Sequence, residues 1–259
     1  MHHNFIDRYS DLDSPVHRLS AVVKMATAAL ILVCALLIPT GKFVEFILYW
    51  ALLLIALFLS RIPVGYVAAK FAVILPVIFV TSLFAPFFKP GEVIWQAHYI
   101  VQLVITREGV LLCLNILLKG SICIFSMIVL FATTPFNDMV ATLRSWKVPA
   151  IFTMLLSFMY RYIFVFIDQA ERVMTAERSR GFGLKGWRRW ETAGHIVAAI
   201  FTSAFIRSER VFEAMCARGF DGTIRVMNRI TFSRSDALAL AVIAATIILF
   251  KIIGVLLHV

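Results

Sequence analysis

Two stretches of this chain end in the same way. Glu171–Phe182 reads ERVMTAERSRGF and Glu209–Phe220 reads ERVFEAMCARGF, identical at seven of twelve positions. Each closes on a small residue, an arginine and a glycine: Ser179-Arg180-Gly181 and Ala217-Arg218-Gly219. Glycine after a helix end takes the left-handed conformation that other residues resist. The arginine before it then projects from the helix end, and its planar fork of donors matches carboxylates. A single such ending is an ordinary dipole-satisfying cap. Two equivalent endings suggest two equivalent sockets, which a two-fold symmetric, water-soluble partner with acidic grooves would supply.

Other candidate chemistry is sparse. The chain has no DDxxD, no HExxH and no glycine-rich loop ending in GK[S/T], which argues against an enzyme. Asp11 and Asp13 lie beside the first apolar run and serve better as caps or anchors. His2 and His3 could hold a divalent metal with the terminal amine, but they sit at a chain end that the charge pattern places in the cytoplasm, so no metal site is assigned. The four cysteines, Cys34, Cys113, Cys123 and Cys216, form no CxxC pair and read as small buried hydrophobes. Lys119 falls in the middle of an apolar run with Asn115 one turn away. A buried ammonium there calls for a structural partner, a backbone carbonyl or a carboxylate. A stand-alone ion channel or secondary transporter remains an alternative, although no carboxylates, His or Met converge in the apolar runs as a metal pathway would need.

The elements that position the arginines follow from composition. Of 259 residues, 61% are hydrophobic and only 15% charged, against about a quarter in soluble domains, so the chain belongs in a membrane. Apolar runs cover Ala21–Ile38, Phe43–Ser60, Val67–Phe88, Gly109–Ala132 and Ala237–Leu257. The first reads as an uncleaved span rather than a signal peptide. A further patch, Ala150–Ile167, and a weaker one, Ile196–Phe205, lie within 133–235.

The net charge is +10, and its placement sets orientation. Arg8, Arg18 and Lys24 precede or open the first run, and Arg61 and Lys70 follow the second. This puts the N-terminus inside and returns the chain inside near Thr133. Residues 168–235 carry twelve Lys and Arg, which a lone crossing by Ala150–Ile167 would place outside. The positive-inside tendency therefore keeps 133–235 cytoplasmic, with its apolar helices along the membrane. Thr153, Ser157, Arg161, Asp168, Glu171, Arg172 and Thr175 share one narrow polar stripe, as such a helix requires. Thr134-Pro135 opens a short helix, Phe136–Lys147, and Pro149 starts a long one ending at Arg180. Gly186–Trp190, GWRRW, reads as a basic aromatic turn, followed by a second long helix from about Glu191 to Arg218.

The triplet pair resembles the mark of the transmembrane T component of energy-coupling factor (ECF) transporters, with Ser179 in place of the usual alanine. Ile6–Ser20, ATTPF, YRYIFV and ARGFDG are similar to the cobalt-transport Q subunit, the CbiQ type. The resemblance implies an all-α integral membrane protein, L-shaped, with about five transmembrane helices and long cytoplasmic coupling helices. Residues 1–132 would hold helices one to four, 133–235 the coupling module, and 236–259 the final span. The resemblance also implies a non-catalytic subunit without cofactor or nucleic-acid partner, in the plasma membrane of a prokaryote. It would join two ABC-type ATPases to a separate metal-binding membrane subunit and import cobalt or nickel. Ser179, Arg180, Gly181, Ala217, Arg218 and Gly219 would form the ATPase contacts.

Overall fold

The computed structural model describes residues 14–17, 19–88, 93–98, 102–180, 187–222 and 234–256. Helices dominate: α1 (Ala21–Leu36), α2 (Phe43–Ser60), α3 (Val64–Leu83), α4 (Ala85–Phe88), α5 (Arg107–Thr133), α6 (Phe136–Ser145), α7 (Ala150–Arg180), α8 (Trp187–Ala217) and α9 (Arg234–Leu256). A short antiparallel hairpin, β1 (Val93–His98) with β2 (Gln102–Thr106), lies between α4 and α5. It is an addition to the all-helical expectation, confined to a connection between helices.

Five helices are long and apolar enough to cross a membrane: α2, α3, α5, α7 and the Ser235–Gly254 stretch of α9. The number agrees with the expectation but the membership differs. α7 qualifies on length and composition, whereas α1, with 16 residues, falls short. α1 is about 24 Å long from the helical rise, against a hydrocarbon core of about 30 Å. It nonetheless packs against α5 and α9 and buries Val23, Ile31 and Ala35.

The described helices form two compact units, α7 with α8 in one, and α1 to α5 with α9 in the other; the division falls within α6, after Thr142. Met139 of α6 is buried against Ala28 of α1 and Leu130 of α5. In the larger unit α2 buries Phe46, Tyr49, Leu53 and Leu57, the three-to-four spacing of one helix face. Trp50, Phe71 and Phe125 join α2, α3 and α5 through ring pairs with centroids 5.1–6.3 Å apart in tilted and edge-on arrangements. The apolar side chains left exposed, such as Val73, Val77 and Phe79 of α3, face outward as lipid contacts require.

Lysines close the ends of these helices. The last carbonyls of a helix lack partners within it. Lys119 of α5 donates to the Leu36 carbonyl at the end of α1, at 2.8 Å. Lys24 of α1 donates to the Thr133 carbonyl at the end of α5, at 2.9 Å. Lys251 of α9 reaches Leu37 at 3.1 Å, and Lys42 reaches Gly254 at 3.0 Å. The carbonyl partner expected for Lys119 is therefore present. Between Lys42 and Lys251 lies Glu45, fully buried, 3.6 Å from one ammonium and 3.5 Å from the other. This acidic centre was not singled out from the sequence. The signal that could have found it is Lys251 itself, a cation inside an apolar run.

Candidate functional site

α7 and α8 carry the repeated endings. Leu155, Phe158 and Tyr162 of α7 share an apolar groove of about 330 Å³ with Ala204, Val211 and Met215 of α8. Further along, Val173, Glu177 and Arg180 share a second groove with Thr192, His195 and Ala199. Low numbers on α7 thus face high numbers on α8, and the two helices run antiparallel. This places Arg180 beside the start of α8 and Arg218 just past its far end. From Thr192 to Arg218 is about 39 Å along the helix from its rise per residue.

The end of α8 shows how the sequence fixes one arginine. Gly219 has φ +79°, the left-handed region, with no atom near the place where a Cβ would stand. The Gly219 N–H donates to the Cys216 carbonyl at 3.0 Å, and the Phe220 N–H to the Met215 carbonyl at 3.1 Å. Together these form the Schellman pair that closes a helix on a left-handed residue. The expected glycine cap is present here, with Arg218 as the residue just beyond the last helical position rather than the last one itself. Gly181 lies outside the described residues.

At the other ending α7 continues to Arg180 as expected. The Ser179 hydroxyl donates back to the Thr175 carbonyl at 3.0 Å. Its polarity is spent inside its own helix, so toward the surroundings Ser179 presents a small surface comparable to Ala217. Ser157 and Thr175, on the polar stripe, likewise bond the carbonyls four residues back, at 2.8 and 2.7 Å. Ser179, Arg180, Ala217, Arg218 and Gly219 are all exposed. Among the described residues no carboxylate pairs with Arg180 or Arg218.

Two sequence expectations about this unit are adjusted. Trp187–Trp190 is the first turn of α8, not a separate turn before it. The short helix after Pro135 ends at Ser145, and Lys147 follows it in the left-handed conformation with φ +61°. The Val148 N–H then donates to Leu143 at 3.2 Å, a second Schellman closure built without glycine. Among the described residues no three His, Cys, Asp or Glu side chains converge on a possible metal position. His2, His3, Asp11, Asp13 and Lys185 lie outside those residues. The four cysteines are free thiols, and Cys216, near the end of α8, is exposed rather than buried.

The family model "CbiQ: Cobalt transport protein" matches residues 13–230. The chain is 28% identical over 257 residues to the energy-coupling factor transporter transmembrane protein EcfT of Ruminiclostridium cellulolyticum, covering 90% of each. It is 33% identical over 100 residues to the cobalt transport protein CbiQ of Rhodobacter capsulatus, covering 38% of this chain and 41% of that one. It is also 28% identical over 220 residues to a putative fused cobalt transport protein CbiMQ of Methanocorpusculum labreanum, covering 81% of this chain and 35% of that one. A match over most of the chain, together with apolar helices long enough to span a membrane, places this multi-pass protein in the CbiQ cobalt transport family, as the transmembrane component of an ECF transporter.

Proposed function

We propose that this subunit couples two ABC-type ATPases to a separate metal-binding membrane subunit that carries cobalt or nickel into a prokaryotic cell. The observation that carries the reading is the pair of exposed arginines at opposite ends of the α7–α8 pair. They are too far apart to grip one small ligand, but they suit two separate protein sockets. Each guanidinium would enter an acidic groove on one ATPase and pair there with a carboxylate. ATP-driven closure would bring the two sockets together. Long helices transmit such a displacement because packed elements shift as bodies rather than deform continuously. The metal-binding subunit would follow, and this chain would hydrolyse nothing and bind no metal itself. The family's cobalt transport role and the fused CbiMQ relative support a partner in the same membrane.

In this reading the N-terminus is cytoplasmic, α7 and α8 lie on the cytoplasmic side along the membrane, and the C-terminus is outside. The support is the run of arginines in 168–235 and the polar stripe of α7. Reconstitution tests the assignment. Liposomes holding the chain with its two ATPases and metal-binding partner should take up radiolabelled cobalt or nickel only with ATP. Metal uptake by the chain alone would instead make it a stand-alone transporter.

A further inference from the structure

A groove of about 410 Å³ opens between α1, α3 and α5, within the size range of small-molecule sites. Its walls are apolar, built from Leu32, Ile74, Met127 and Phe131, and Tyr66 and Lys70 stand in it as the polar groups. The Lys70 ammonium lies 5.8 Å over the Tyr66 ring. Among the described residues no carboxylate pairs with it. Lys70 is the seventh residue of α3, so it sits about 9 Å along the helix from its start. From there its stem can lie on apolar surface while the charge reaches the headgroup layer.

We propose that this groove binds one anionic phospholipid. The lipid phosphate pairs with Lys70 at the Tyr66 end, and one acyl chain lies along Ile74, Met127, Phe131 and Leu32. Charge complementarity selects the occupant, because an unpaired cation at the mouth of an apolar slot is satisfied by an anion that brings its own apolar chain. A free phosphate makes no use of the slot's walls. A zwitterionic lipid brings a competing cation to Lys70. On α3, Val73 and Val77 are exposed beside the groove, so a lipid can enter sideways from the bilayer.

The test is native mass spectrometry of the detergent-purified protein after incubation with equal amounts of phosphatidylglycerol and phosphatidylcholine. One phosphatidylglycerol should stay bound in preference. Lys70→Gln should cut its retention about fivefold, the factor for one lysine contact with an anionic headgroup. Lys70→Arg should keep it, and Lys147→Gln, in the other unit, should not alter it. Ile74→Trp, which narrows the groove and leaves Lys70 in place, should also lower retention. Millimolar glycerol phosphate should displace nothing. Equal retention of the two lipids, undiminished retention in Lys70→Gln or Ile74→Trp, or displacement by glycerol phosphate would overturn the proposal.

Discussion

Lys119 and Lys24 cap each other's helices. Lys119, in α5, bonds the last carbonyl of α1, and Lys24, in α1, bonds the last carbonyl of α5, at 2.8 and 2.9 Å. Each supplies positive charge at the negative end of the other helix's dipole. This accounts for how a 16-residue α1 keeps its place in the bundle: its C-terminal carbonyls meet lysines from α5 and α9. Replacing Lys119 with Met leaves the Leu36 carbonyl without that donor and should cost about 1–3 kcal/mol. Thermal unfolding of the purified protein checks this. Lys24→Met should lower the midpoint comparably, and the two losses should add because the caps are independent. An unchanged midpoint in both would show the caps to be dispensable.

Glu45 and Gly254 form a second such relation. A Cβ on Gly254 would overlap the Glu45 carboxylate, so α9 approaches α2 closely only through glycine. Glu45→Ala removes the shared counter-charge of Lys42 and Lys251. Loss of a fully buried partner costs about 3–5 kcal/mol, and the 31% exposure of Lys251 lowers the expectation to about 1–3 kcal/mol. Gly254→Ala should destabilise as well. The double variant should lose less than the sum, because the overlap disappears with the carboxylate. Strict additivity in a double-mutant cycle would contradict the contact.

The left-handed cap at Gly219 makes a local prediction. Gly219→Val should cost about 1–2 kcal/mol at the helix end, while Gly219→Asn should be tolerated. Hydrogen exchange of the Phe220 amide, which donates to Met215, should quicken in the Val variant and stay slow in the Asn variant. Retention of the ATPases should fall with it. A Val variant with unaltered exchange would mean that the glycine is not needed for the closure.

Topology is open to direct labelling. With the native cysteines removed, a cysteine at position 185 should resist a membrane-impermeant maleimide added from outside and react after the membrane is opened. Labelling from outside would show that α7 crosses, as its length and composition allow, and would remove the cytoplasmic assignment of α8.

What could be read from the sequence was local. The Schellman closure at Gly219, the helix starts at Pro135 and Pro149 and the run of α7 to Arg180 each depend on a few neighbouring residues. The carbonyl partner of Lys119 followed from the cost of a bare ammonium in an apolar run. Which carbonyl it would be did not follow, because Leu36 lies 83 residues away in the chain and only tertiary packing brings them together. Glu45 was unreadable for the same reason: its partner Lys251 is on the last helix. The left-handed Lys147 closes its helix against the usual residue preference, so no glycine signal marked that end.

The most direct test of the coupling account is retention of the two ATPases by variants of Arg180 and Arg218, with ATP-dependent metal uptake measured in parallel. Each single Ala substitution leaves one socket carboxylate buried and unpaired, at about 3–5 kcal/mol. Each should therefore weaken assembly strongly, and Lys should rescue poorly because a point charge does not reproduce the fork. The double Arg180→Ala, Arg218→Ala protein should insert normally in the membrane yet hold neither ATPase and transport no metal. If that protein kept both ATPases and transported at the normal rate, the two arginines would be ordinary helix caps and the coupling account would be wrong.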